Sequence, residues 1–303
     1  MRVLVTGVNG QLGHDAVNEL SARGHEVYAS DITERYSGAS DGSAVTEARY
    51  IQMDITDKAS AEHAFSIAHP DAVLHAAAWT AVDAAEDNKE KAEEINAGGT
   101  ENIAEACLRY GAEMMYISTD YVFSGEGERP WQADDRCFSP LNWYGKTKLD
   151  GEEAVRRILS RYYIVRIAWV FGANGNNFVK TMLRLSETHE ELRVVRDQIG
   201  TPTYTKDLSV LLSDMIGSSR YGTYHATNEG GYISWAEFAE EIMRQAGRRT
   251  RIVPVTTEEY GMSRAKRPYN SRLDKAKLEE EGFSRLPEWK DALGRYLEEI
   301  GCR

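Results

Sequence analysis

Short runs rich in β-branched residues alternate with helical patterns along the first two thirds of the chain, and this alternation constrains the fold more than any other feature. The predicted strands of this region are Arg2–Thr6, Glu26–Ala29, Ile51–Met53, Ala72–His75, Met114–Ser118 and Tyr162–Ile167. The predicted helices are Gln11–Ala22, Lys58–Ala68, Lys91–Leu108 and Asn142–Ser160. Such alternation predicts an α/β fold with a doubly wound parallel sheet, covered by helices on both faces and connected by right-handed crossovers.

A glycine-rich turn joins the first predicted strand to the first helix. In the segment TGVNGQLG the glycines are Gly7, Gly10 and Gly13. Gly7 suits a sharp turn, Gly10 lets a diphosphate approach the backbone, and Gly13 lets the helix pack close to the strand. The helix N-terminus offers free N–H groups to an anion. Many ordinary turns are also glycine-rich, but the position between a strand and a helix favours a dinucleotide site.

The end of the second predicted strand bears on the choice of cofactor. Asp31 closes that strand, and an acidic residue there would bond the adenine ribose hydroxyls and repel a 2′-phosphate, which favours NAD(H). Arg35, four residues on, could instead pair with such a phosphate. A solvated aspartate in a turn is the structural alternative. The sequence therefore leaves both NADPH and NADH open.

Tyr144 and Lys148 lie four residues apart on a predicted helix and so share one face. A free phenol has a pKa of about 10, and we expect the neighbouring ammonium to lower the pKa of Tyr144. Tyr144 would then give its proton to a carbonyl oxygen during a reduction. Thr119 follows the fifth strand and can bond the same oxygen. A strand-capping threonine and a half-buried tyrosine are the structural alternatives, but the chain order of the three motifs favours catalysis.

These motifs resemble the extended short-chain dehydrogenase/reductase superfamily and, within it, the dTDP-4-dehydrorhamnose reductase family. The stretches that carry the resemblance are VTGVNGQLG, AAAWTAVDAAE, ISTDYVFSG, SPLNWYGKTKLDGE, RIAWVFG, DQIGTPTY, RPYNSRLDKAKL and LPEW. The resemblance implies a Rossmann-type oxidoreductase of dTDP-rhamnose biosynthesis. Its implied reaction is the NAD(P)H-dependent reduction of the 4-keto group of dTDP-4-dehydro-β-L-rhamnose to dTDP-β-L-rhamnose.

The resemblance also implies roles for individual residues. By motif match the catalytic residues are Thr119, Tyr144 and Lys148, of which Tyr144 and Lys148 also contact the cofactor. The other implied cofactor contacts are Gly7, Gly10, Gln11, Leu12, Gly13, Asp31, Asp54, Ile55, Ala76, Ala77 and Ala78. The implied contacts to the sugar nucleotide are Thr119, Asp120 and Trp169, for which a core aromatic is the alternative. Further candidates are Tyr121 and the loop Arg264–Arg267, whose arginines would bind the diphosphate.

The pattern of elements changes after about Trp169, which predicts a second, smaller lobe. We expect a dinucleotide-binding domain over residues 1–170, with strand and helix additions from about 193–226. The substrate-binding lobe would comprise 171–192 and 227–303, where Ser234 and Glu237 form a capping box. The polar segment Ile32–Tyr50 is longer than the family resemblance leads us to expect, and it could shift the adenine site.

Composition excludes several classes of function. The 303 residues include 36 Lys+Arg and 48 Asp+Glu, for a net charge of −12, and an acidic surface repels nucleic acid. We find no apolar run near 20 residues for a membrane span and no signal peptide, so we expect a cytoplasmic protein. Three separated cysteines and seven histidines form no recognisable disulfide or metal motif. A homodimer through an exposed helix is one arrangement that the sequence allows.

Two other functions stay open at this point. A nucleotide-sugar epimerase or dehydratase of the same superfamily shares the glycine loop, the tyrosine and the lysine, but recycles its cofactor. A non-catalytic NADP-binding regulatory subunit has the same fold, although we would expect such a protein to have lost part of the constellation formed by Thr119, Tyr144 and Lys148.

Overall fold

The computed structural model describes residues 1–261 and 263–303. Its strands are β1 (Arg2–Thr6), β2 (Glu26–Asp31), β3 (Arg49–Gln52), β4 (Ala72–His75), β5 (Glu113–Thr119), β6 (Tyr162–Ile167), β7 (Val170–Phe171), β8 (Glu191–Val195), β9 (Ile199–Gly200), β10 (Thr203–Tyr204), β11 (Gly222–His225), β12 (Ile233–Ser234) and β13 (Arg251–Val255). Its α-helices are α1 (Gln11–Ala22), α2 (Ala44–Glu47), α3 (Lys58–Ala68), α4 (Val82–Asp87), α5 (Lys89–Glu93), α6 (Thr100–Tyr110), α7 (Trp143–Ile158), α8 (Phe178–Ser186), α9 (Thr205–Met215), α10 (Trp235–Gln245), α11 (Thr257–Tyr260), α12 (Ala276–Glu280) and α13 (Trp289–Glu299).

Seven strands form one sheet in the order β11-β6-β5-β4-β1-β2-β3, and every neighbouring pair is parallel. Side chains alternate between the two faces: Val3 and Val5 pack with α1 and α9, whereas Leu4 packs with α3, α6 and α7. The predicted doubly wound α/β fold is therefore confirmed. Because all seven strands are parallel, their carboxyl ends share one edge, and a ligand site is expected there.

The turn between β1 and α1 accommodates no side chain at two of its glycines. Gly7 has a φ of 75°, and a Cβ built on it would lie 2.6 Å from the backbone nitrogen of Ala77. A Cβ on Gly13 would overlap the carbonyl of Gly7. The turn is thus packed between the strand ends and the helix, as the spacing of the glycines predicts.

The C-terminal part of the chain builds a lobe with its own apolar core. The core residues lie mainly on α8, α10 and α13, among them Phe238, Leu293 and Tyr296. The predicted capping box is present: Ser234 accepts the backbone N–H of Glu237, whose side chain accepts the N–H of Ser234. No helix within residues 1–261 and 263–303 has the length and apolar character that a bilayer crossing requires.

At the start of the additions predicted from about 193–226, β8 pairs with β13 in a separate two-stranded sheet, while β11 joins the main sheet and α9 packs on α1. We therefore propose a division in which β8 belongs to the lobe and α9 and β11 belong to the dinucleotide-binding layers. The other limits stay at 1–170 for the first domain and 171–192 and 227–303 for the lobe.

The helix predicted over Lys91–Leu108 is interrupted by a π-helical turn at Glu94–Gly99. At its centre, the amide of Asn96 accepts the N–H of Trp79 at 2.8 Å and donates to the hydroxyl of Thr147 at 3.0 Å. These two hydrogen bonds connect the loop that follows β4 with α7. Such turns are frequent at functional sites. Hydrophobic periodicity alone does not predict this turn, because the turn depends on the tertiary partners of Asn96.

Candidate active site

A crevice of about 930 Å³ runs along the carboxyl edge of the seven-stranded sheet. Its walls come from the β1–α1 turn, the ends of β2 to β6, the start of α7, and the lobe. The predicted site residues that line it are Gly7, Gly10, Gln11, Leu12, Gly13, Asp31, Asp54, Ile55, Ala76, Ala77, Ala78, Thr119, Asp120, Tyr144, Lys148 and Trp169. The fold therefore gathers into one crevice the residues that the sequence singled out for cofactor, substrate or catalysis, with the exception of the candidate loop Arg264–Arg267.

The start of α1 is suited to an anion. Gly10 is its N-cap residue, and no side chain caps the helix there. The first N–H groups of a helix have no intrahelical partner and carry the positive end of its dipole. Gly7 packs against the backbone of Ala77, and the backbone of the glycine-rich turn lines the crevice. This arrangement fits the diphosphate of a dinucleotide.

Asp31 is held against the glycine-rich turn. Its carboxylate accepts the N–H of Asn9 at 2.9 Å and the N–H of Ile32 at 2.8 Å. Arg35 is exposed and is not among the described residues that line the crevice. Asp31 therefore lines the crevice beside the glycine-rich turn, whereas Arg35 does not contribute to the lining.

The long segment between β2 and β3 folds back over the glycine-rich turn. The N–H of Ser37 donates to the side chain of Asn9 at 2.8 Å, and the N–H of Ala39 donates to Asn174 at 3.0 Å. Asp54 and Ile55 still line the crevice. The added length is accommodated above α1 and does not displace these two residues from the crevice.

Thr119 ends β5 and holds the short 3₁₀ turn that follows it. Its hydroxyl donates to the carboxylate of Asp120 at 3.0 Å and accepts the N–H of Tyr121 at 3.2 Å. Burial raises the pKa of Asp120 to about 6. The capping role considered as an alternative is thus present, and the same hydroxyl lies at the crevice wall.

The start of α7 is fixed on several sides. Asn142 caps the helix by accepting the N–H of Gly145 at 2.8 Å, and its amide donates to the carbonyl of Lys266 at 2.8 Å. Glu86 of α4 accepts the N–H of Trp143 at 2.7 Å. These bonds hold the first turn of α7 so that Tyr144 faces the crevice.

Tyr144 keeps its proton at neutral pH. Burial raises its pKa above the ordinary value, the charge of Asp120 raises it further, and the neighbouring Thr119 hydroxyl opposes the rise. The expectation of a lowered pKa is not met, because the desolvation of the phenol and the charge of Asp120 both raise it. A phenol that is protonated at rest is nevertheless the form that a proton donor requires.

Lys148 is 3% exposed and lies one helical turn beyond Tyr144. Its ammonium nitrogen is 4.1 Å from the ring centroid of Tyr116. Burial lowers the pKa of Lys148 to about 7, and the negative charge of Glu152 opposes the fall. Lys148 is therefore poised between its charged and neutral forms near neutral pH, and Glu152 favours the charged one.

Two tryptophans form the wall of the crevice nearest the lobe. Trp169 follows β6 with a φ of 50° and stacks on Trp235, with ring centroids 3.7 Å apart and planes 15° from parallel. Sequence reasoning missed Trp235. Its place after the N-cap Ser234 marks it as the first residue of a helix, but only tertiary packing brings that helix to Trp169.

The loop Arg264–Arg267 does not contribute to the crevice lining within the described parts of the chain. Arg264 pairs with Asp87, and Arg267 pairs with Asp83 at 2.9 Å. These arginines attach the lobe to α4. Among residues 1–261 and 263–303, no group of three or more His, Cys, Asp or Glu is arranged to hold a metal ion.

The family model described as "RmlD substrate binding domain" matches residues 1–302. The spore coat polysaccharide biosynthesis protein SpsK of Bacillus subtilis is 43% identical over 98% of this chain and 97% of its own length. The dTDP-4-dehydrorhamnose reductase of Streptomyces griseus is 38% identical over 96% of this chain and 91% of its own length. The chain belongs to the dTDP-4-dehydrorhamnose reductase family of oxidoreductases.

Solved structures of the dTDP-4-dehydrorhamnose reductase family agree with this assignment. The reductase of Clostridium acetobutylicum is 41% identical, with a TM-score of 0.90 over 99% of this chain and 100% of that chain. The reductase of Bacillus anthracis in complex with NADP is 39% identical, with a TM-score of 0.89 over 98% of this chain and 99% of that chain. A UDP-glucose 4-epimerase of Thermus thermophilus, in complex with NAD, is 21% identical with a TM-score of 0.83 over 99% of each chain, and it supports the fold alone.

Proposed function

We propose that this chain reduces the 4-keto group of dTDP-4-dehydro-β-L-rhamnose to give dTDP-β-L-rhamnose, with NADPH or NADH as reductant. The observation that carries the proposal is the convergence of Thr119, Tyr144 and Lys148 on the crevice that also contains the glycine-rich turn. The substrate follows from the names of the reductases that the chain resembles over nearly its whole length.

The residues present fit a nicotinamide dinucleotide. The uncapped start of α1 would hold the diphosphate, and Asp31 would bond the adenine ribose. Asp54 and Ile55 would border the adenine, and Ala76 to Ala78 would form a floor of small side chains beneath the cofactor. The diphosphate would lie against the backbone of Gly10, Gln11, Leu12 and Gly13. When bound, this cofactor supplies the hydride.

Tyr144 is the proton donor in this proposal. Its phenol is protonated at neutral pH and gives its proton to the 4-keto oxygen of the sugar as the carbon is reduced. The Thr119 hydroxyl bonds the same oxygen once it turns from Asp120. The ammonium of Lys148, one turn along α7, stabilises the phenolate as it forms and bonds the nicotinamide ribose.

The sugar nucleotide would lie on the side of the crevice nearest the lobe. Thr119, Asp120 and Trp169 would contact it, and the stack of Trp169 on Trp235 makes a flat apolar surface against which a deoxysugar packs. The edge-to-face contact of Tyr121 with Tyr144, 5.7 Å between ring centroids, borders the same space.

The direct test generates dTDP-4-dehydro-β-L-rhamnose in situ, adds the purified protein with NADPH or NADH, and follows the nicotinamide absorbance and the sugar product. We expect one reduced cofactor to be consumed for each dTDP-β-L-rhamnose formed. Protein that carries tightly bound NAD⁺ and interconverts sugars without consuming reduced cofactor would instead indicate an epimerase or dehydratase. Cofactor binding without any sugar product would indicate the regulatory subunit.

Substitution of Asp31 tests the ribose assignment. Asp31→Asn removes the charge and keeps an acceptor for the N–H of Asn9, so the catalytic preference for NADPH over NADH should rise roughly tenfold. The ratio of the two kcat/KM values measures it. Glu34→Gln, an exposed neighbour outside the crevice lining, is the matched control. An unchanged ratio in Asp31→Asn contradicts the assignment.

Substitution of Trp235 tests the aromatic wall. Trp235→Ala should raise the KM for the sugar nucleotide roughly tenfold, because the stack that holds Trp169 is lost. The KM for the cofactor should change little, and Trp235→Phe should show an intermediate effect. Steady-state kinetics with each substrate varied in turn provide the comparison. Equal changes in both KM values would show a general disturbance of the crevice instead.

A further inference from the structure

A buried carboxylate lies one turn beyond Lys148 on the same face of α7. Glu152 is fully buried, and its two carboxylate oxygens accept four hydrogen bonds. One oxygen accepts from the hydroxyl of Ser118 at 2.6 Å and from Arg166 at 2.8 Å. The other accepts from Arg166 at 2.7 Å and from Arg156 at 2.7 Å. Glu152 thus joins the helix of Tyr144 and Lys148 to the strand that ends in Thr119.

Arg166, the main partner of Glu152, is also fully buried. Its guanidinium lies 4.9 Å from the ring centroid of Phe123 and 5.0 Å from that of Phe138. Burying an ion pair costs desolvation energy, and well-packed apolar side chains often hold a core together as well or better. Packing alone therefore explains the buried pair of Glu152 and Arg166 poorly, and the charge of Glu152 needs a further explanation.

Within the described parts of the chain, the titratable groups that contact Lys148 or act on its charge include Glu152 of its own helix, Tyr116 of β5 and His75 of β4. Burial lowers the pKa of His75 to about 3, so this ring is neutral at physiological pH. Burial would raise the pKa of Glu152, but the hydrogen bonds and charges of its arginine partners hold it below the ordinary value. Glu152 is therefore ionised.

We propose that Glu152, fixed by Arg166 and Ser118, is a positioning residue that keeps Lys148 in its ammonium form and holds α7 against the end of β5. The inference rests on the proposed function in one respect, namely that the charge of Lys148 serves the reduction. Glu152 itself touches neither substrate nor cofactor in this account. It acts through Lys148 on one side and through Ser118, the neighbour of Thr119, on the other.

The test uses the full-length protein with Glu152→Gln, which keeps the shape of the side chain and removes its charge. Brief acetylation with acetic anhydride at a series of pH values, followed by peptide mass spectrometry, reports the neutral fraction of Lys148, resolved from Lys146 by fragmentation. We expect the midpoint for Lys148 to fall by roughly one pH unit, because an opposite charge nearby has been removed. The alkaline limb of the pH profile of kcat/KM should shift in the same direction.

Asp150→Asn is the matched control, because Asp150 lies on the same helix and pairs with Lys146. It should leave the midpoint of Lys148 and the pH profile unchanged. A folded Glu152→Gln protein with an unchanged midpoint overturns the inference. A lower melting temperature alone would show that Glu152 only packs the helix on the sheet.

The substitution Glu152→Gln leaves Arg166 buried without a counter-charge, which is strongly destabilising. The double variant Glu152→Gln/Arg166→Met removes both charges and keeps similar volume, so it provides a second route to the same measurement. A fall in the Lys148 midpoint is again expected, smaller than in Glu152→Gln because a cation is lost together with the carboxylate, and an unchanged midpoint contradicts the inference. Because the labelling needs no turnover, its result is separate from the proposed reduction: wild-type protein that fails to reduce the sugar contradicts only the proposed function.

Discussion

Tyr144→Phe is expected to lower kcat by about 10²–10⁴-fold, the usual contribution of a positioned general acid. The substitution removes one hydroxyl and little area, so the dissociation constant of the cofactor should change less than severalfold. Tyr144 lines the crevice beside Thr119, and burial raises its pKa above the ordinary value, so the proton is available at neutral pH. Single-turnover rates with saturating sugar nucleotide measure the effect on the chemical step.

Tyr260→Phe provides the control for this experiment, because Tyr260 is exposed at the end of α11 and outside the crevice lining. It should retain full activity. If Tyr144→Phe turns over at the wild-type rate with an unchanged pH profile, Tyr144 is not the acid and another group must protonate the keto oxygen.

Lys148→Met should have the second-largest effect, lowering kcat/KM by about 10–100-fold through loss of a charge-assisted hydrogen bond. Both the rate and the affinity for the cofactor should fall, because the same ammonium serves the phenolate and the nicotinamide ribose. In the wild-type protein, burial lowers the pKa of Lys148 to about 7. Activity that depends on the ammonium should therefore decline as the pH rises through that value.

Lys146→Met is the matched control, since Lys146 is exposed and its ammonium pairs with Asp150 on the other side of α7. The control variant should keep the wild-type rate and cofactor affinity. A Lys148→Met protein that loses turnover but binds the cofactor as tightly as the wild type would confine Lys148 to the proton-transfer step.

Features set by local sequence were predictable. The glycines of the first turn and the apolar period of the first helix place α1 at Gln11–Ala22, where the structure has it. The strand order of a parallel α/β sheet then brings the residues that follow β1 to β6 to one edge. For this reason the sequence was sufficient to predict that Asp31, Thr119 and Tyr144 lie in one crevice.

Features set by tertiary partners were not predictable in the same way. Trp235 reaches the crevice because β12 pairs with β9, and no local pattern reports that pairing. The family resemblance suggested that the arginines of the loop Arg264–Arg267 would bind a diphosphate, whereas Arg267 pairs with Asp83 of α4. Burial raises the pKa of Tyr144 above its ordinary value. The four-residue spacing between Tyr144 and Lys148 does not show how deeply the phenol is buried.

The transfer of deuterium from labelled cofactor to the sugar reports both the direct hydride step and the role of Tyr144 in it. Wild-type protein would be mixed with dTDP-4-dehydro-β-L-rhamnose and nicotinamide cofactor deuterated at the transferable position, and the product analysed by mass spectrometry and NMR. We expect one deuterium at C4 of dTDP-β-L-rhamnose for each cofactor oxidised, and almost none in the same time with Tyr144→Phe. Product without deuterium at C4, or label transfer that is equally fast in Tyr144→Phe, would contradict this expectation.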